Sequence, residues 1–186
     1  MSLTLGTIWN NKDNKKIINR PPPKPETVLV QKPPVRNDVK KFWGTPTWYL
    51  FHGIAANINA EFYKNNYAVV FNFIKQICSN LPCPFCRKHA VNYINAVNVN
   101  SVNTKEKLEI MLFNFHNSVN SRTGKPVMQQ GELQKYKTMN MVRCFELFKR
   151  KFFRSYYGDR TFSGWMRKKF EDYFLEFYKQ SINYYN

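Results

Sequence analysis

The amino-acid sequence predicts an all-α protein, and three features carry the prediction. Apolar residues recur at three- and four-residue steps in successive segments from Trp48 to Phe177, the spacing of one helix face. Pro82, Gly124, Pro126 and Gly158 fall between those segments, where they punctuate helices. No β-α-β alternation surrounds the cysteine motif described below. At 186 residues, the chain can form one domain with a real core, or a small domain plus an extension. Hydrophobic residues make up 43% and aromatic residues 17%, so that core can be filled largely with rings.

The elements follow in chain order. Residues 1–41 carry Pro21, Pro22, Pro23, Pro25, Pro33 and Pro34 among Lys and Asn. That density biases the backbone to extended forms and predicts a tail or a wrapping arm. Thr45 then reads as an N-cap, with Pro46 at the first helical position. Trp48, Phe51, His52, Ala55 and Ile58 share one face of the helix that follows; on that face alone, His52 reads as a satisfied core histidine. A second helix is predicted over Tyr67–Cys78, with Val70, Phe73, Ile74 and Ile77 as its stripe. Asn80-Leu81-Pro82 ends it.

A third helix, Pro84–Ala96, opens on Cys83-x-x-Cys86, and a fourth covers Lys105–Ser121. Leu108, Met111, Leu112, Phe115 and Val119 form the fourth helix's apolar face, and Gly124 with Pro126 stops it. Beyond residue 130, Phe145, Leu147, Phe148, Phe152 and Phe153, with Tyr156 and Tyr157, predict a long helix that stops near Gly158. Another helix starts near Ser163, with Trp165, Met166, Phe170, Tyr173, Phe174 and Phe177 as apolar positions. The domain plan is therefore an arm (1–41), a helical domain (42–130) and a basic, aromatic helical extension (131–186).

Net charge is +17, and residues 1–41, 42–129 and 130–186 contribute +6, +5 and +6. A diffuse excess favours solubility and weak attraction to polyanions, not sequence-specific reading of nucleic acid. Interleaved Arg143, Lys149–Lys151, Arg154 and Arg167–Lys169 make the last two helices basic. Such a composition can stack on single strands, but rings at helical spacing read first as core or self-association surface. No run of about eighteen apolar residues occurs, and no apolar signal core follows Met1–Asn10, so neither a membrane span nor secretion is expected.

The chemistry concentrates at Leu81–Ala90, Leu-Pro-Cys-Pro-Phe-Cys-Arg-Lys-His-Ala. Two thiols three apart at a helix N-terminus share a face and can close a disulfide. The unpaired N–H groups of that terminus favour a thiolate. Arg87, Lys88 and His89 are expected to add positive charge. A structural zinc site needs four ligands, and no spacing brings Cys78, Cys144 or the scattered histidines into one. Redox chemistry is therefore the preferred reading over metal binding. Further along, His116 and Asn120 lie four apart beside an apolar stripe, which suits either a core network or a ligand edge.

Taken in series, Trp48-x-x-x-His52, Pro82-Cys83-x-x-Cys86 and His116-Asn117-x-Val119-Asn120-x-x-x-Gly124-Lys125-Pro126 resemble the Erv/Alr family of FAD-linked sulfhydryl oxidases, and most of all the forms in large DNA viruses. The resemblance covers about residues 43–126. It implies a four-helix bundle with a short fifth helix holding FAD. It implies that Cys83 takes electrons from a substrate dithiol and that Cys86 passes them to the flavin. It also implies that Trp48, His52, His116, Asn117, Asn120 and Lys125 line the FAD site, with Gly44 allowing close backbone approach and Trp43 an added contact. O2 would be the final acceptor and H2O2 the product, in a homodimer acting on protein dithiols.

Three departures stand out. Residues 1–77 and 145–186 hold no cysteine, so no shuttle pair is recognisable, and Cys78 and Cys144 could bridge, relay or stay buried. The cysteine expected soon after Gly-Lys-Pro is missing, and Asn57-Ile58-Asn59 stands where Tyr-Tyr-Pro is common. The expected place of action is a viral assembly site in host cytoplasm or the virion, with the mitochondrial intermembrane space second. The competing expectation is a basic helical module that binds nucleic acid or a structural partner and has no oxidase activity.

Overall fold

In the computed structural model, residues 42–155 and 164–185 are described. The expected arm, the helix stop near Gly158 with Tyr156 and Tyr157, and the Ser163 start fall outside them. Six α-helices form among the described residues: α1 (Gly44–Asn57), α2 (Ala60–Ser79), α3 (Pro84–Asn95), α4 (Lys105–Thr123), α5 (Met141–Arg154) and α6 (Gly164–Ser181). Short 3₁₀ turns at Val99–Val102, Gln130–Tyr136 and Ile182–Tyr184 complete the order. The protein is all-α. Its one extended pairing among the described residues is an isolated bridge from Ile58 to Tyr185.

Local chemistry sets most helix ends. α1 starts earlier than Thr45: Trp43 is its N-cap and has no capping side chain. Thr47 instead turns its hydroxyl back to the Trp43 carbonyl at 2.7 Å, which leaves Pro46 within the first turn, where its missing N–H costs little. α2 starts at Ala60, well before the predicted Tyr67. Asn59 caps it by accepting from the Phe62 N–H at 2.9 Å, and a non-helical Asn66 (φ −129°, ψ 15°) kinks it. That kink breaks the phase between Tyr63 and the Val70–Ile77 stripe, which hid the first turns from a periodicity reading. α4 runs to Thr123 and ends on Gly124 at φ 68°, a left-handed position suited to glycine.

α1 is the central element. Leu50, Phe51, Ile54 and Ala55 are buried in it, with α4 packed on one side and α5 on another. Met141, Cys144, Phe145, Phe148 and Phe152 of α5 enter the same core as those α1 residues, and Phe170, Phe174 and Phe177 of α6 close over it. Phe73 of α2 stacks on Phe177 at 3.7 Å. Trp165 and Met166, expected on the α6 apolar face, are 70% and 50% exposed. Helical spacing marks a face but not where its partner begins. α6 meets α5 from Phe170, which packs on Phe152 and Phe153. The turn after α6 returns to the start of α2: the Asn59 N–H donates to the Tyr184 carbonyl at 2.7 Å, and Phe62 stacks on Tyr184.

Candidate dithiol and ring-stack site

The cysteine pair sits where α2 gives way to α3. Cys83 is the N-cap of α3, Pro84 begins the helix, and the Cys86 backbone N–H donates to Cys83 Sγ at 3.2 Å. Arg87 steadies the approach by donating from Nε to the Leu81 carbonyl at 3.1 Å. Both cysteines are half-buried, and Cys86 packs against the core. The two remaining cysteines differ. Cys78 and Cys144 are buried free thiols; burial pushes Cys78 well above the usual thiol range and raises Cys144 as well. Among the described residues, no cluster of three or more His, Cys, Asp or Glu side chains could hold a metal ion.

α3 lies closest to α2 and reaches α4 through side chains. Tyr93 stacks on Phe115 at 4.6 Å, His89 Nε2 is 3.4 Å from Ser118 Oγ, and the Arg122 guanidinium lies 5.0 Å above the Phe85 ring. His89 does not supply the charge expected of it: burial and the neighbouring Arg122 both lower its pKa. From Phe115 the rings continue inward. Trp48 meets Phe115 edge-on at 5.3 Å and stacks flat on His116, with centroids 3.9 Å apart and planes 8° from parallel. His116 Nδ1 lies 3.0 Å from His52 Nε2, and His52 stacks on Tyr136 at 4.5 Å.

Both histidines of this stack are neutral at physiological pH. Burial, then the repulsion that a second proton on His116 would bring and the charge of Lys135, lower His52 to about 3. Burial, then Lys135 and Lys125, lower His116 to about 4. A hydrogen bond between them needs one ring to donate and the other to accept, which neutrality permits. His52 Nδ1 is buried and has no hydrogen-bond partner.

The structure thus brings Trp48, His52 and His116 together and links them to the cysteine helix through Phe115. It uses Asn117 differently: that amide donates to the Met128 carbonyl at 3.1 Å and accepts from the Met128 N–H at 2.8 Å, fastening the segment after α4. The Asn120 carbonyl receives the Lys125 N–H at 2.9 Å, and its residue is buried. Lys125 is exposed. Trp43 packs edge-on against Phe152 of α5 at 6.4 Å, and Gly44 has open space where a Cβ would stand. Tyr136 escaped the sequence reading because it lies in a 3₁₀ turn with no helical period. Asn57 was read only as a departure, yet its amide donates to the Tyr136 carbonyl at 2.8 Å and holds that turn to α1.

These groups suit a flavin dinucleotide on three counts. Flat indole, phenol and imidazole faces suit stacking, an unpartnered buried nitrogen suits a polar ring edge, and Lys125 and Lys135 act electrostatically on the same histidine.

An all-α fold that carries a cysteine pair at a helix N-terminus, near a stack of neutral rings, defines a helical dithiol protein. More particularly, the chain belongs to the Erv1/Alr family, whose profile matches residues 45–141. Protein 096R of Invertebrate iridescent virus 3, described by its name as a FAD-linked sulfhydryl oxidase, is 38% identical over 87 residues, 46% of this chain and 59% of that protein. The FAD-linked sulfhydryl oxidase of African swine fever virus is 29% identical over 111 residues, 59% of this chain and 92% of that protein. Protein 347L of Invertebrate iridescent virus 6 is 30% identical over 99 residues, 50% and 89%. The chain thus spans about three fifths of the iridescent virus 3 relative and about nine tenths of the other two. No solved structure matches.

Proposed function

We propose that the protein is a FAD-dependent sulfhydryl oxidase that makes disulfides in client dithiols. The observation carrying this reading is the contact path from the Cys83–Cys86 helix, through Tyr93 and Phe115, to the Trp48–His116–His52 stack in a member of the Erv1/Alr family.

Cys83 is the entry sulfur. A client thiolate attacks Cys83 Sγ of the oxidised pair, the Cys83–Cys86 bond breaks, and its electron pair leaves on Cys86. A second client thiolate then attacks the client sulfur of the mixed disulfide, closing the client's disulfide and releasing Cys83. Partial positive charge at the α3 N-terminus stabilises the leaving thiolate. Trp48, His52, His116 and Tyr136 would hold FAD by stacking, Lys125 and Lys135 would face its pyrophosphate, and Asn120 and Gly44 would complete the wall. When bound, FAD supplies two-electron acceptance from the reduced pair and onward transfer to O2, which leaves as H2O2. We read the oxidase as a homodimer that works at a viral assembly site in host cytoplasm or in the virion, in keeping with its viral relatives.

The purified protein should be yellow, with a flavin spectrum bleached by dithiothreitol and restored by air. Cys83→Ser and Cys86→Ser should each abolish dithiothreitol-driven oxygen uptake while keeping the flavin. A colourless protein that folds normally, or full turnover in either variant, would sink the reading.

A further inference from the structure

We propose that the rim of Cys83 selects client cysteines flanked by acidic residues, with Phe85 as an apolar landing surface and Lys88 and Arg122 as the charges that recognise the flank. This substrate class rests on the oxidase reading above.

Phe85 lies between the two cysteines and is 54% exposed, although nothing in catalysis calls for a phenyl ring in water there. The Arg122 guanidinium covers it from α4. Lys88 is exposed one turn further along α3. Neither cation meets a carboxylate among the described residues, whereas Lys135 and Lys168 pair with Glu132 and Asp172. Arg122 Nε makes no hydrogen bond.

The sequence sharpens the contrast. No Asp or Glu occurs between Glu61 and Glu106, or between Glu109 and Glu132. α3 and the half of α4 that faces it therefore hold no acid to offset these charges. The α3 N-terminus adds its own positive end. Such a field draws in anionic partners and repels cationic ones, and the incoming nucleophile is itself an anion.

The test follows sulfur exchange at Cys83 without flavin or oxygen. Cys83 of the Cys86→Ser variant is converted to a mixed disulfide with thionitrobenzoate; Cys78 and Cys144 are buried and protected from the reagent. A peptide thiolate attacks Cys83 Sγ, forms the peptide–Cys83 disulfide and expels coloured thionitrobenzoate with the electron pair. Two single-cysteine peptides of equal length are compared, one flanked by Asp and Leu, the other by Lys and Leu. Each rate is divided by that peptide's rate on a small mixed disulfide, which removes differences in thiol acidity.

The acidic peptide should react about tenfold faster at low salt, and the advantage should shrink as salt screens it. Lys88→Glu with Arg122→Glu should reverse the preference, and Lys88→Gln with Arg122→Gln should abolish it. Phe85→Ser should slow both peptides. Equal rates on the unreversed chain, or a preference that survives charge reversal, would overturn the proposal. If the double reversal does not fold, the salt series still decides. Because no flavin takes part, failure here leaves the oxygen-uptake result standing, and the converse holds too.

Discussion

At the scale of single residues, the His52–His116 pair ties stability to pH in a definite direction. In the unfolded chain both rings have a pKa near 6.5, whereas in the fold they fall to about 3 and about 4. Above pH 6.5 both states are neutral and the full stability is present. As pH drops below that value, the unfolded chain takes up protons that the folded chain refuses, and stability declines toward the folded values. For His52 the expected slope is about 1 kcal/mol per pH unit, and less for the more accessible His116. Denaturant titrations at pH 8, 6.5 and 5 should show a plateau and then this decline. The same decline in a His52→Gln, His116→Gln double variant would assign it to other groups. The family resemblance made His52, His116 and Trp48 legible as a group, because spacing alone does not join positions so far apart in sequence. Tyr136 was not legible, since its place in the stack depends on a turn without periodicity.

At the scale of elements, one amide hydrogen-bonds the Gln130–Tyr136 turn to α1, beside the packing of Tyr136 on His52 and Tyr49. Asn57 is buried, and its Nδ2 serves both the Gly53 carbonyl within α1 and the Tyr136 carbonyl beyond it. Asn57→Ala leaves a buried carbonyl unpaired, which costs about 1–3 kcal/mol, and frees the turn that places Tyr136 on His52. A lower denaturation midpoint together with faster flavin loss is expected. Unchanged flavin retention would show that Tyr136 is held by other means. The helices themselves were legible wherever one stripe stays in phase, as in Val70, Phe73, Ile74 and Ile77, all fully buried. Phase breaks, such as the Asn66 kink in α2, erased the signal, so the α2 start capped by Asn59 was missed, whereas the starts of α3 at Pro84 and α4 at Lys105 fell where expected.

At the scale of the whole molecule, the core continues past the stretch that carries the family resemblance. The family profile matches residues 45–141, where α5 has only begun, yet Phe145, Phe148 and Phe152 share a core with Leu50 and Ile54 of α1. Phe148 has no exposure and stacks on Phe152 and Phe174. Phe148→Ala should therefore cost about 3–5 kcal/mol, read from chemical denaturation. A loss below about 1 kcal/mol would mean that α5 and α6 are loosely attached. An all-α fold was legible from spacing alone. Which helix lies beside α1 was not, because periodicity gives each helix a buried face without naming the neighbour.

The sulfur that caps α3 gives the helix a chemically variable end. Cys83 Sγ accepts the Cys86 N–H, and in the proposed reaction this same sulfur passes between thiol, intramolecular disulfide and mixed disulfide. A thiolate accepts a hydrogen bond more strongly than a disulfide sulfur does. The first turn of the helix should therefore tighten and loosen with each catalytic round. Amide hydrogen exchange at Cys86 should be slower in the reduced protein than in the oxidised one, and equal protection in both would show that the cap does not sense the bond. The end of α3 then works as a gauge of the electrons it carries.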